Sequence, residues 1–545
     1  MGNKFFVIML ASLFSVGMLT DAVAQKKKTV AQASKKYVKY VKGQAQGKTK
    51  IAQKNASDPA TVTRDKSDTT IVDVQEDPMR TAFEEFSQKA RNEYEDFRQK
   101  ANREYAEFMK QAWKSFGSKP AVPQPKEEEI PPVVIKEEEI QKPKEDKPLP
   151  VINFVVAPLP EPQPLPIAPI REQPAPTPTV QQSEFSVYGT PMKVRFYDGQ
   201  RFSLKDVSRN TISETWKKMS LDSYNNTIRD CLEIRVTRNL SDWAYLNMLS
   251  KFAESCFGKT NEATLLMAYL YCQSGYQMRL ATADGKLRML YAAKQHIYDK
   301  AYYDIDDVRY YLFDGNERAL NICDIKFPGE KAMSLYITKP QKFDEDMSEE
   351  RELLSLRYTT MQLKVQVNKN LVDFYDGYPV TSIDNNFMTR WSAYANTPLD
   401  KTVTEKLYPA LKKILKDRTE EGAAERILNW VQTAFIYGYD SQIWGCDRAF
   451  FAEETLFYPY CDCEDRSILF SRLIRDLLGL DVVLVYYPGH LATAVHFNMD
   501  VKGDYIMHDG KKFVVCDPTY VGAPAGMTMP GMDNAKATVI LLSKD

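Results

Sequence analysis

The chain has 545 residues, a length that predicts about three or four structural units rather than one domain. Its 72 basic and 73 acidic side chains leave a formal net charge of -1, so no overall charge draws it to nucleic acid. Eight cysteines are too sparse at this length for a disulfide scaffold.

Residues 1–24 are predicted to be a signal peptide. Lys4 supplies a basic start, residues 5–19 form an apolar run, and residues 22–24 (Ala-Val-Ala) match a small-x-small cleavage site. The run is shorter than the roughly 20 residues that span a bilayer, and an uncleaved anchor is the alternative. The mature protein is expected to be exported, to the periplasm or as a secreted protein, without a transmembrane segment.

Residues 25–78 form a polar segment of low complexity. Between residues 25 and 64, eleven Lys and Arg side chains stand against Asp58 alone. Such blocks are typical of solvated, disordered tails, and contact with an anionic surface is the functional alternative.

Residues 79–117 are predicted to form one long helix. Residues 82–116 repeat every eleven residues, as AFEEFSQKARN, EYEDFRQKANR and EYAEFMKQAWKSF. Because eleven residues make three helical turns, the repeated aromatic side chains return to nearly the same face. That stripe must be buried, either against the protein itself or by self-association through residues 82–116. The repeated aromatic positions are Phe83, Tyr94, Tyr105 and Phe116, with Phe86, Phe97 and Phe108 beside them.

Residues 118–180 contain 17 of the 30 prolines of the chain. Proline fixes φ and removes a backbone donor, so this segment is predicted to be an extended linker that holds the following domains away from the helix. Residues 181–400 then alternate helical and strand-like stretches, which predicts an accessory α+β domain.

The candidate catalytic side chains lie in residues 401–545. CEDRSILFSRLIRDLLGL predicts a helix that begins at Cys463, DVVLVYY and PGHLATAV predict two strands with His490 at the start of the second, and FVVCDPTY places Asp517 after a later strand. A thiol at a helix N-terminus, an imidazole and a carboxylate are the groups that thiol-based acyl transfer requires.

These three segments, in this order, resemble the transglutaminase-like cysteine protease superfamily. The resemblance covers about residues 400–545 and implies a papain-like α+β domain with Cys463 as nucleophile, His490 as general acid and base, and Asp517 as the residue that orients the histidine. It implies an amide substrate in a peptide or protein, including cell-wall peptide, with hydrolysis, deamidation or crosslinking as the outcome. The family commonly has Gly where this chain has Cys461, for which we expect a structural or disulfide role.

The sequence does not identify both donors of an oxyanion hole. The backbone N–H of Cys463 is one candidate, and the second donor is expected from Gln432, Trp430 or Trp444. The pattern predicts neither a metal nor a cofactor, because the C-x-C spacing is not that of a structural zinc site. The set that would make such a site is Cys461, Cys463, His490 and His496.

Other interpretations compete with the enzyme. The C-terminal part is alternatively a non-catalytic binding or scaffold module on a helical stalk, or a redox protein that uses Cys461 and Cys463. The accessory domain shows the same helix–strand–strand outline around residues 259–292 and is interpreted as a degenerate copy, with Lys259 in the place of Cys463. A generic helix–strand–strand unit is the alternative.

Overall fold

The computed structural model describes residues 78–126, 130–136, 138, 140–156, 170–174 and 181–543. The predicted signal peptide and residues 25–77 of the basic segment lie outside these ranges. The helices are α1 (Pro78–Met109), α2 (Arg209–Met219), α3 (Asn225–Thr237), α4 (Asp242–Phe257), α5 (Asn261–Gln273), α6 (Lys369–Asp376), α7 (Arg390–Asn396), α8 (Lys401–Leu415), α9 (Glu420–Ala434), α10 (Asp440–Ile443), α11 (Ala452–Phe457) and α12 (Cys463–Leu478).

The described residues have a mixed α+β fold with two large sheets. The first contains six strands in the order β1-β11-β6-β7-β10-β9, and the second contains seven in the order β2-β19-β20-β18-β17-β21-β3. The strands are β1 (Trp113–Gly117), β2 (Lys147–Pro148), β3 (Asn153–Val156), β4 (Gln182–Val187), β5 (Thr190–Arg195), β6 (Met278–Ala283), β7 (Lys286–Ala292), β8 (His296–Ile297), β9 (Tyr302–Ile305), β10 (Val308–Leu312), β11 (Ala319–Cys323), β12 (Arg351–Leu354), β13 (Gln362–Val365), β14 (Thr381–Ser382), β15 (Ile436–Tyr437), β16 (Tyr460–Cys461), β17 (Asp481–Tyr487), β18 (His490–His496), β19 (Asp504–His508), β20 (Lys511–Cys516) and β21 (Thr538–Leu541).

The two sheets share one topology. Helix α5 is followed in the chain by β6, β7, β9, β10 and β11 of the first sheet, with β8 between β7 and β9 paired to β14 instead, and α12 is followed by β17 to β21. These five strands are arranged identically in the two sheets, as β11-β6-β7-β10-β9 and β21-β17-β18-β20-β19, and every adjacent pair is antiparallel. This agreement extends well beyond a helix–strand–strand unit and favours the interpretation of the accessory region as a copy of the C-terminal fold.

The N-terminal helix is shorter than predicted and lies on its own protein. It ends at Met109, and Phe116 belongs to β1, which pairs with β11. Tyr105 is buried against Trp216, whereas Phe97 and Phe108 are 53% and 61% exposed. The chain leaves the helix because residues 113–117 gain main-chain hydrogen bonds at the edge of the six-stranded sheet.

The proline-rich segment does not act as a spacer where it is described. Strand β2 pairs with β19 and β3 pairs with β21, so this segment supplies both edge strands of the seven-stranded sheet. Unpaired edges offer free N–H and C=O groups, and NFVV has the apolar character that suits a strand. Pro78–Asp545 consequently form one compact unit.

The predicted boundary at residue 401 does not separate two cores. Leu353 and Leu363, on β12 and β13, belong to the same buried cluster as Leu428 and Leu473. The buried cluster that contains Leu428 and Leu473 therefore includes residues from about fifty positions before that boundary, since 401 − 353 = 48.

Candidate functional site

The helix that begins at Cys463 has strong start and stop signals. Asp462 is its N-cap, and a capping box joins Asp462 to Asp465. Gly479 ends the helix with φ +66°, the left-handed conformation that glycine adopts readily. These signals place the thiol of Cys463 in the first turn, as the sequence predicted.

The structure brings the three predicted catalytic residues to one end of the seven-stranded sheet. Cys463 is the first residue of α12, His490 is the first of β18, and Asp517 follows the last residue of β20. Helix α12 packs across β17 and β18. Cys463 and His490 line the same pocket, which has a volume of about 150 Å³.

His490 and Asp517 form a buried hydrogen-bonded pair. The distance from His490 Nε2 to Asp517 Oδ2 is 2.9 Å. The other carboxylate oxygen of Asp517 accepts hydrogen bonds from the backbone N–H groups of Thr519 at 2.8 Å and Tyr520 at 3.2 Å. Because a carboxylate accepts, this pairing assigns the ring proton of neutral His490 to Nε2. Nδ1, which is buried and has no hydrogen-bond partner within the described residues, is left as the basic nitrogen.

The electrostatics around Cys463 oppose the expectation of a low pKa. Burial raises the pKa of the Cys463 thiol well above its ordinary value, and the carboxylates of Glu464 and Asp462 raise it further. Sγ lies 3.2 Å from Glu464 Oε2. The backbone N–H of Leu491 acts in the opposite direction and lowers the pKa. In this conformation, burial and the acidic first turn outweigh the helix dipole.

An arginine and a group of carboxylates that the sequence motifs did not indicate line the same pocket. The buried Arg390 donates from Nη1 to Asp447 Oδ2 at 3.0 Å, and its Nη2 lies 4.0 Å from Glu464 Oε1. Carboxylate oxygens of Asp440, Asp447 and Glu464 lie within 4.8 Å of one another. Such oxygens suit a hard cation, but the guanidinium of Arg390 already provides positive charge beside two of them.

The four residues of the alternative zinc site are not brought together. His496 lies at the far end of β18 from His490, and its Nδ1 is 3.0 Å from the carbonyl oxygen of Lys512. Cys461 is buried, and Arg466 Nε lies 3.5 Å from its sulfur. Neither of the groups of close thiol and carboxylate ligands found in the described residues includes a histidine.

Cys461 has a structural environment. It belongs to the buried cluster of the C-terminal core, and burial raises its thiol pKa to about 11. All eight cysteines are unpaired, including the exposed Cys446, so the structure contains neither a Cys446–Cys461 disulfide nor a Cys461–Cys463 disulfide.

The three side chains expected to donate to an oxyanion do not line the pocket. Gln432 Nε2 donates to the carbonyl oxygens of Asp517, Tyr520 and Ala523, at 3.0, 2.8 and 3.1 Å. Gln432 Oε1 accepts from the backbone N–H of Gly522 at 3.1 Å. Gln432 therefore organises the loop that carries Asp517.

The two tryptophans also have other partners. Trp430 Nε1 donates to the carbonyl oxygen of Leu353 at 3.1 Å, and Trp444 packs against Phe450 and Tyr458. Tyr437, which no motif indicated, does line the pocket. Sequence reasoning missed Tyr437 and Arg390 because each comes from an element that only tertiary packing places beside Cys463.

The six-stranded sheet has a pocket at the equivalent position. Two-residue turns join Ala283 to Lys286 and Tyr487 to His490, so Lys286 takes the place of the histidine. Asn261, the first residue of α5, accepts from the backbone N–H of Leu287 at 2.8 Å, just as Cys463 accepts from Leu491. The equivalent of Cys463 is thus Asn261 rather than Lys259.

Strand register identifies the residue of the six-stranded sheet that corresponds to Asp517. Thr493 pairs with Cys516 in the C-terminal sheet, and the N–H of Phe313 bonds to Met289 at the matching place in the other sheet, so Asp314 corresponds to Asp517. Asn261, Lys286 and Asp314 all line one pocket of about 790 Å³. Without a thiol, this copy cannot form a thioester.

Within the described residues, no helix is both long and apolar enough to cross a bilayer. Comparison with models of protein families, with curated proteins and with solved structures finds no match for this chain.

Proposed function

We propose that this protein is a thiol enzyme of the transglutaminase-like, papain-like type that acts on amide bonds of peptides or proteins. One observation carries the proposal: His490 is paired through Nε2 with buried Asp517, its Nδ1 is free, and it shares a pocket with Cys463. A general base for a thiol needs an unprotonated ring nitrogen and a carboxylate that orients the ring, and His490 has both.

The proposed reaction proceeds through a thioester. His490 Nδ1 takes the proton of Cys463, whose sulfur attacks the amide carbonyl carbon. The imidazolium then protonates the departing amine as the C–N bond breaks, and Asp517 stabilises the imidazolium. Water attacks the thioester to release an acid, or an amine attacks to form a new amide. Hydrolysis is favoured as the default because an amine needs an acceptor site of its own.

The backbone N–H of Cys463 remains the proposed oxyanion donor. It lies in the first turn of α12, where backbone amides have no partner within the helix. We also propose that residues 1–24 direct export to the periplasm or outside the cell, and that exposed Phe97 and Phe108 mediate self-association through residues 82–116.

A non-catalytic binding module is the second candidate. The observation that favours it is the raised pKa of the Cys463 thiol, because a protonated thiol is a poor nucleophile. In that case, the pocket would bind a peptide without cleaving it.

The decisive experiment is site-resolved alkylation of the full chain with iodoacetamide across pH 5 to 10. Cys463→Ala should remove the labelled site, whereas Cys461→Ala, a matched change two residues earlier, should retain it. His490→Ala should shift the pH profile of Cys463 towards that of an unassisted thiol. If the profile of Cys463 is the same with and without His490, the catalytic proposal fails and the binding module is favoured.

A further inference from the structure

Residues 118–126 and 130–136, which we call the strap, follow β1 of the six-stranded sheet and precede β2 of the seven-stranded sheet in the chain. At its beginning, the backbone N–H of Lys119 donates to the carbonyl oxygen of Tyr302 at 2.7 Å, on the edge strand β9. The strap is thus anchored on the accessory sheet before it reaches the candidate active site.

The middle of the strap lies at the candidate active site. Gln124 Nε2 donates to the carbonyl oxygen of Asp447 at 3.2 Å. Lys126 and Ile130 line the same pocket as Cys463. A segment of the chain therefore forms part of the wall of the pocket in which the nucleophile is buried.

The end of the strap is bound as an added strand. The N–H of Ile135 donates to the carbonyl oxygen of Val521 at 2.9 Å, and the N–H of Val521 donates to the carbonyl oxygen of Val133 at 2.8 Å. Main-chain pairing of this kind is a common way to bind an extended peptide. Val133 faces the protein, while Val134 is 67% exposed. The apolar residues of the strap, Ile130, Val133 and Ile135, pack on Tyr520, Ala523 and Met529.

The pocket beside the strap is rich in carboxylates. Asp440, Asp447 and Glu464 contribute carboxylates to the pocket, against the single guanidinium of Arg390. Lys126 brings a second cation to the same pocket. The strap therefore offers what a bound peptide would offer: an extended backbone and apolar side chains on one face.

We propose that the strap occupies the substrate cleft of the candidate active site in cis. The cleft accordingly takes an extended peptide with apolar residues on one face, and the site stays latent until the strap is displaced. This inference rests on the proposed function, because the cleft is a substrate cleft only if Cys463 is the nucleophile. Displacement would also reduce the burial of Cys463, the largest cause of its raised pKa.

The test compares Val133→Asp with Val134→Asp in the full chain. A charge at Val133, which is partly buried against the protein, should detach the strap, whereas the same charge at its exposed neighbour should not. A bulky maleimide is applied at one pH, and labelling of Cys463 is quantified by mass as the modified fraction of its own peptide over time. Val133→Asp should raise the labelling rate of Cys463 by about tenfold or more, since labelling follows the open population. Val134→Asp should leave the rate within about twofold.

Amide hydrogen exchange verifies that only the strap has opened. In Val133→Asp, protection should be lost at Ile135 and Val521 and kept on β18. If protection is lost throughout, the milder Ile135→Ser replaces Val133→Asp in the same comparison. The proposal is overturned if Cys463 labels at the same rate with the strap bound and released. If release of the strap accelerates labelling but His490→Ala does not change the pH profile of Cys463 alkylation, the proposed role of the strap is supported and the proposed catalysis fails.

Discussion

The substitution Gln432→Leu tests whether a single side chain holds the loop around Asp517. Four hydrogen bonds link its amide to the backbone of Asp517, Tyr520, Gly522 and Ala523. Leucine has a similar size and makes none of them. At about 1 kcal/mol for each lost bond, Gln432→Leu should lower the free energy of unfolding by about 4 kcal/mol.

The measurement is urea unfolding at pH 7, followed by circular dichroism. Gln442→Leu is the matched control, because Gln442 is exposed on the short helix α10 and its replacement should change stability by less than about 0.5 kcal/mol. Gln432→Leu should also weaken the effect of His490 on the alkylation of Cys463, since the loop carries the carboxylate that orients the imidazole.

An unchanged unfolding midpoint in Gln432→Leu would refute this reasoning. If that variant kept its stability but lost activity towards an amide substrate, Gln432 would act on the substrate, as an oxyanion donor does, rather than on the loop.

Three further changes have defined outcomes. Asp517→Asn should lower activity about ten-thousandfold without unfolding the protein, because an amide donor at Nε2 reverses the tautomer of His490; similar activity in both proteins would exclude the orienting role. Burial raises the pKa of Glu453 from 4.5 to about 8, so its contribution to stability is full below pH 4.5 and is lost as the pH rises through 8. Between pH 4.5 and 8, the free energy of unfolding should fall by about 1.4 kcal/mol per pH unit because of this group, and Glu453→Gln should remove that fall. Glu405→Gln, at an exposed site, should preserve it when unfolding is measured at several pH values. Gly479→Ala should cost about 1–2 kcal/mol in the same assay because its φ is +66°, and no loss would contradict the left-handed cap.

Local sequence signals determined the frame of the candidate site. The N-cap at Asp462 and the glycine at 479 mark the ends of one helix, and a two-residue turn marks the start of β18 at His490. These signals act over a few residues, so they can be recognised in the sequence without knowledge of the fold. They placed Cys463, His490 and Asp517 at the ends of the predicted elements, and the repeated helix–strand–strand outline anticipated the shared strand order of the two sheets.

Tertiary structure decided the environment of those residues. The pKa of Cys463 depends on burial and on Glu464, and the partners of Gln432 come from a loop about ninety residues later, from 432 to 522. The proline-rich segment reads locally as a spacer, yet main-chain pairing at the sheet edges and at Val521 fixes it on the protein. Backbone hydrogen bonds of this kind carry almost no side-chain signature, and burial is a sum over the whole fold. The sequence by itself therefore determined which chemical groups lie at the ends of which elements, and only packing decided how they are charged, oriented and covered.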